Sequence, residues 1–288
     1  MRRDDLVSAL DAYFGVADVR DDDWSATFEL LYRDPYWRAY AEPGYEGCWN
    51  GLMVRGADEV TAVATCVFPS DRIVAGLELG TLLFSEHPVD FEDERGFLPL
   101  ARDTFEAMRV RGIGFYHVHA PIDQHPEVSP SRLCAQGIGL AGLDEYYPIA
   151  EGIPGGAAIA GDTELSLDAL AELLGGFLGE EIPVQVLTRP RSRAGRVAVV
   201  AGGGASVDIL AASLERGCET YVTGNAATRC RLDFVQEEVR AFLARAEEAR
   251  VAVLDATHYG MEKPPQLAMV EWFRARGLEA RFVADGPK

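Results

Sequence analysis

VAVLDATHYGME, residues 251–262, is the stretch that decides how this chain is read. Five of its first six residues are apolar, rich in valine and too few for an ordinary helix, the pattern of a strand buried on both faces. The run ends in His258 and Glu262, spaced H-x-x-x-E. GFYHVHAPID, residues 114–123, repeats the arrangement in the other half: a short apolar run, then His119 and Asp123 at the same spacing. In a chain with only five histidines, two strands that each deliver an imidazole and a carboxylate at their carboxyl end suggest a repeated unit.

Working outward, the same order of elements precedes each pair. In the first half VTAVATCV (60–67) predicts a strand and Ser70 caps a helix that runs to Gly80. TLLFS (81–85) is the next strand, and FLPLARDTFEAMRVRG (97–112) is a helix with Ala101, Phe105 and Met108 on one face. In the second half RVAVVA (196–201) predicts a strand, GGG turns, and Ser206 caps a helix ending near Gly217. ETYVT (219–223) follows, then a helix over 232–250 through Leu232, Val235, Val239, Phe242 and Leu243. Ser70 and Ser206, Gly80 and Gly217, and His119 and His258 recur at a near-constant offset. A helix from about Pro264 to Gly277 and a strand at ARFVA (280–284) close the chain.

These elements predict an α/β fold of two related, internally duplicated β-α-β-α-β units with largely parallel sheets. Residues 1–150 form the first unit, with an N-terminal helix and an aromatic loop, and 151–288 the second. EGIPGGAAIAGD (151–162) is read as a weakly ordered join. Parallel strands need right-handed crossovers, and ligands bind outside their carboxyl ends. Glu86 and His87, His119 and Asp123, the Gly202–Gly204 turn, and His258 and Glu262 all fall just after strand ends. Their expected meeting place is a cleft between the units. Histidine and carboxylate donors without thiolates suit Zn, Mn, Fe, Co or Ni.

Composition excludes several classes. With 27 basic against 46 acidic residues the formal charge is −19, which disfavours nucleic acid and anionic membrane as partners. Hydrophobic residues make up 48% of the chain, enough for a sizeable core, yet no apolar run approaches a spanning helix. The opening MRRDDLVSALDAYF is amphipathic and acidic rather than a signal sequence, so a cytoplasmic location is expected. Cys48, Cys66, Cys134, Cys218 and Cys230 lack CxxC spacing, as free thiols do.

Some stretches have two readings. TRPRSRAGR (188–196), with Arg189, Arg191, Arg193 and Arg196, is either a solvated loop or a clamp on an anionic substrate. RDPYWRAYAEPGYEGCWNG (33–51) is either packing under a long loop or a stacking wall for a ring. GGGAS lacks the register of a nucleotide fingerprint, and Asp208 in the following first turn opposes phosphate, so it reads as a tight turn near the site. His117 reads as a strand residue, and His125 as a proton carrier or an exposed side chain.

Taken together, WNGLMVRG (49–56), EHP (86–88), HAPID, AGGGAS, TYVTGN (220–225) and THYGME resemble, in order and spacing, the Nif-three-like family of dinuclear-metal hexameric proteins. Its bacterial members are often called GTP cyclohydrolase 1 type 2 homologues. The resemblance implies that His87 and Asp123 hold one divalent transition metal, that His258 helps hold a second, and that Glu262 bridges them. Glu86 stands where the family places a metal-binding histidine, and His119 would orient ligands or a bound water and shuttle protons. After TGN the chain reads AATRCRLDF, without the family's K-Y-H stretch. The implied function is metal-dependent hydrolysis of a small-molecule substrate at a mono- or dinuclear centre, cyclohydrolase-like ring opening of a nucleotide or other heterocycle, in a homohexamer. The alternative is a metal-buffering or scaffold protein without catalysis.

Overall fold

In the computed structural model, residues 1–92, 94–149, 154–227 and 232–284 are described. The chain divides into two compact units. The first comprises Met1–Glu92, Phe97–Ile122 and Gln266–Lys288, and the second Asp93–Gly96 and Asp123–Pro265.

The first unit is built on a five-stranded sheet. Its strands are β1 (Gly51–Val54), β2 (Ala62–Cys66), β3 (Thr81–Ser85), β6 (Gly114–His117) and β13 (Glu279–Phe282), in the order β1-β6-β3-β2-β13. A short hairpin of β4 (Asp90–Glu92) and β5 (Gly96–Leu98) lies outside the sheet. Every pair is parallel except β1 with β6. The three predicted strands are the parallel core β2-β3-β6, and β3 matches its expected bounds because all five residues are buried. One face packs Ala64, Leu83 and Phe115 against Phe105 and Met108 of helix Arg102–Arg111. On the other, Phe84 stacks with Phe14 of helix Arg3–Phe14 and meets Phe273 edge-on.

The second unit carries a six-stranded sheet. Its strands are β7 (Ala141–Tyr146), β8 (Ala158–Ser166), β9 (Gln185–Thr188), β10 (Arg193–Val200), β11 (Thr220–Thr223) and β12 (Ala252–Asp255), in the order β7-β8-β10-β11-β12-β9. The predicted strands are again the parallel core, here β10-β11-β12, and the antiparallel strands β7, β8 and β9 are added at its edges. Alternate residues of β10 serve two cores: Val197 and Val199 face helix Leu167–Leu178, whereas Ala198 and Val200 face helices Val207–Glu215 and Asp233–Glu248. Burial on both faces is why RVAVV reads as an unbroken apolar run.

Both units therefore repeat strand, Ser-capped helix, strand, helix, strand. Ser70 Oγ accepts from the N–H of Ile73 at 3.2 Å and Ser206 Oγ from that of Ile209 at 3.4 Å. Each cap contributes about 1 kcal/mol to its helix. Some boundaries differ from the expected ones. The last five residues of the expected join, 158–162, are strand, the first part of β8, and helix Arg102–Arg111 starts later than predicted because Gly96–Leu98 is strand. The final helix starts earlier, spanning His258–Arg274 with Pro264 and Pro265 inside it. Thr257 starts it: its Oγ1 accepts from the N–H of Gly260 at 2.8 Å, an N-cap bond.

Candidate metal centre

In the second unit three strand ends converge. After β12, Thr257 caps the helix and sets His258 and Glu262 one turn apart on one face. His258 Nε2 and Glu262 Oε1 lie 2.8 Å from each other, with the Glu262 side chain only 4% exposed. After β10, Gly202 adopts φ +62°, and a Cβ there would lie 2.1 Å from Glu262 Oε1 and 3.2 Å from His258 Nε2. After β11, a Cβ on Gly224 would lie 2.9 Å from the backbone of His258. Only glycine permits that approach, so the GGG turn does bring backbone up to the site. His258 and Glu262 are among the His and Glu donors that could hold a metal ion. Asp255, at the end of β12, accepts from the N–H of Ala226 and fixes the loop after β11.

In the first unit the corresponding edge is aromatic. His87 follows β3 and is 1% exposed. Its N–H donates to Val67 O at 3.2 Å, and Ser85 Oγ donates to its carbonyl at 2.5 Å. The ring stacks on Phe68 (centroids 4.5 Å apart) and lies against Trp24, Phe97 and His119. Glu86, fully buried, accepts from Gln266 Nε2 at 3.2 Å. His119 follows β6 and opens a helical turn, Ala120–Asp123, whose last residue, the half-buried Asp123, belongs to the second unit. His119 Nδ1 lies 2.7 Å from Asp21 Oδ2, and its backbone N–H donates to Asn50 Oδ1 at 2.8 Å. Burial pushes the Asp21 carboxyl up, but the charge and hydrogen bond of His119 and the N–H of Ala120 outweigh it. The carboxyl is held below its ordinary range.

Other stretches take structural roles. His117 is a strand residue, fully buried, with Nε2 2.5 Å from the Tyr45 hydroxyl; burial drives its pKa down to about 3. His125 is not the exposed side chain of one expectation. It is buried, and its Nδ1 accepts from the N–H groups of Glu127 and Val128, pinning a turn. The arginines of 188–196 are all engaged: Arg189 with Asp168, Arg191 with Glu219, Arg193 with Glu164 and Arg196 with Asp162. That arrangement is a paired surface rather than an anion clamp. Trp37, Tyr45 and Trp49 belong to the core, so the aromatic stretch is mainly packing, although Phe28, Tyr32, Trp37 and Trp49 also line a cavity of about 220 Å³. Residues 228–231, where the family's K-Y-H stretch would lie, and Cys230 fall outside the described residues; the other four cysteines form no disulfide among the described residues.

Residues 41–284 match the family described as Duf34/NIF3 (NGG1p interacting factor 3). The chain belongs to that family. A Pyrococcus horikoshii protein named GTP cyclohydrolase 1 type 2 homolog is 27% identical over 246 residues, covering 83% of this chain and 89% of that protein. A Deinococcus radiodurans protein of the same name is 28% identical, covering 74% and 78%. Among solved structures, protein ybgI, titled as of unknown function, aligns over 100% of both chains with a TM-score of 0.70 at 19% identity. TTHA1606 from Thermus thermophilus aligns over 99% and 98% with a TM-score of 0.64 at 22% identity. Those likenesses show the fold. No helix among the described residues is long and apolar enough to cross a membrane.

Sequence reading found the imidazoles and carboxylates but missed Asp21, Asn50, Trp24, Phe68 and Phe97. Asn50 had a local signal, its place in WNG. Asp21 is 98 residues from His119 and had none.

Proposed function

We propose that this member of the Duf34/NIF3 family is a metal-dependent hydrolase. One or two divalent transition ions (Zn, Mn, Fe, Co or Ni) would be held by Glu86, His87, Asp123, His258 and Glu262, with His119 moving the proton. The observation that carries this reading is the His258–Glu262 pair: two donors 2.8 Å apart, mostly buried, against a glycine whose missing Cβ leaves them room. A mixed nitrogen and oxygen donor set fits those ions, and a bound ion supplies Lewis acidity and brings a water's pKa toward 7.

The chain's own residues supply the rest. Phe68, Trp24 and Phe97 restrict water around His87 and fix its ring. His119, held through Nδ1, offers Nε2 to take or give a proton. The paired arginines of 188–196 are not available to a triphosphate. With a formal charge of −19, the substrate that suits this protein best is a heterocycle of low charge opened at its ring, rather than GTP. Deep burial of Glu86 and His87 favours a second reading, in which the ion is held without turnover.

Incubating zinc- or manganese-loaded protein with a panel of purine bases, nucleosides and nucleotides, followed by ultraviolet absorbance and mass spectrometry, separates the two. Hydrolysis predicts a ring-opened product abolished by chelator and by His119→Gln. Metal retained with no product from any of them sinks the hydrolase and leaves the ion-holding role. Homo-oligomerisation, with a hexamer as the proposed state, is checked by light scattering.

A further inference from the structure

We propose that Asp21 is a positioning residue that fixes the His119 imidazole in its Nδ1–H form and so leaves Nε2 as the proton-accepting nitrogen. The consequence for turnover rests on the hydrolase reading above, but the placement of the proton does not.

Four observations lead there. Buried carboxylates need a partner, and among the described residues of this strongly acidic chain the buried acids are Asp21, Glu86, Asp255 and Glu262. Glu86 and Glu262 are candidate ligands and Asp255 anchors the loop at Ala226, whereas Asp21 is spent on His119. Second, Asp21 occupies the N-cap position of helix Asp22–Leu31, where an aspartate normally accepts from the helix, yet its side chain makes no cap bond. Its oxygen Oδ2 instead lies 2.7 Å from His119 Nδ1 and accepts from the N–H of Ala120 at 3.2 Å. A stabilisation of about 1 kcal/mol available locally is thus given up for a bond across 98 residues.

Third, the surroundings over-determine the geometry. Asp21 N–H donates to Cys48 O at 3.0 Å, Asn50 Nδ2 to the same carbonyl at 3.3 Å, and His119 N–H to Asn50 Oδ1 at 2.8 Å. Between Cys48 and Asn50, Trp49 is held at φ +56°, a conformation rare for a bulky residue and retained where the surroundings impose it. Fourth, the Trp24 indole, one turn into the same helix, meets both the His119 and His87 rings edge-on and stops the imidazole from turning. Asp21 and Trp24 both precede residues 41–284, so the segment ahead of the family match completes this part of the site.

The chemistry follows from the acceptor. An ionised carboxylate has no hydrogen to donate, so the short contact requires the proton to be on Nδ1. The same logic holds catalytic histidines elsewhere in one tautomer, and the isosteric amide, which can donate, selects the other.

Full-length protein labelled with ¹⁵N in its histidine rings, studied by solid-state NMR at pH 8, tests this without requiring a substrate. The His119 signals are assigned by their loss in His119→Gln. Wild type is expected to show Nδ1 protonated and Nε2 unprotonated. Asp21→Asn is expected to swap the two, and Asp21→Glu to restore the wild-type pattern. A wild-type ring protonated on Nε2, or an Asp21→Asn spectrum unchanged from wild type, overturns the proposal. With an active substrate in hand, Asp21→Asn should lower kcat by at least about 100-fold, leaving KM and bound zinc within about twofold. Full turnover with a swapped tautomer would overturn the positioning role. If wild type turns over no substrate, only the hydrolase reading falls, and the spectra still decide the proton's place.

Discussion

At the carboxyl edge of the first sheet, Trp24, Phe68 and Phe97 enclose His87, and His119 is tied to Asp21 and Asn50 by bonds spanning many residues. At the carboxyl edge of the second, two of the three strands are followed by glycines, Gly202 against Glu262 and Gly224 against His258, and the donors Glu262 and His258 sit one helical turn apart. The frame is the same β-α-β-α-β order, Ser-capped at the same step. The first edge holds its imidazoles by side-chain packing and long-range hydrogen bonds. The second holds its pair by backbone proximity and a helix start. A duplicated frame thus fixes where donors stand without fixing how they are held.

The largest expected effect breaks one unit at a time. Phe105→Ala in the first core and Phe242→Ala in the second each remove a fully buried ring, which costs about 3–5 kcal/mol. Hydrogen exchange should show lost protection concentrated in the unit that carries the change; equal losses in both units would contradict the division. Next is Gly202→Ala. It forces a left-handed residue with a Cβ into the Glu262 carboxylate, destabilising by about 1–3 kcal/mol and weakening metal binding roughly 10- to 100-fold, as read by calorimetry. A substitution without effect on zinc affinity would remove the glycine floor from the account.

The third sharpens the contrast in burial. His117, buried in the first unit, titrates near pH 3 in the fold against an ordinary 6.5, so the unfolded chain binds the proton first. Its contribution to stability is complete above pH 6.5 and is lost as pH falls toward 3, at most about 1.4 kcal/mol per pH unit. Denaturant midpoints for His117→Gln should show a shallower acid limb than wild type; parallel limbs would mean that this histidine does not set it. Smallest is the pair Ser70→Ala and Ser206→Ala, each expected to lose about 1 kcal/mol with metal binding retained. Unequal losses would show that the matched caps are not equivalent.

The parallel cores were legible because central strands are apolar on both faces, as TLLFS and RVAVVA are. The metal-type donors were legible because each follows such a strand. Edge strands were harder. β8 begins with small residues that read as a loose join, and Gly161 is needed there because a Cβ would lie 2.8 Å from Leu140 and 2.9 Å from Leu143. The start of the last helix was misplaced because Pro264 and Pro265 resemble a helix start, whereas the chain uses Thr257 as its cap. Asp21 could not be found from local pattern, since its partner is distant in sequence and a carboxylate in the run RDDDW looks like surface.

Elemental analysis of protein purified without added metal, wild type beside Glu262→Ala, tests the central claim most directly. One or two transition-metal ions per chain are expected in wild type and nearly none in the variant. A wild-type protein without transition metal, or a Glu262→Ala protein that keeps its full complement, would contradict it.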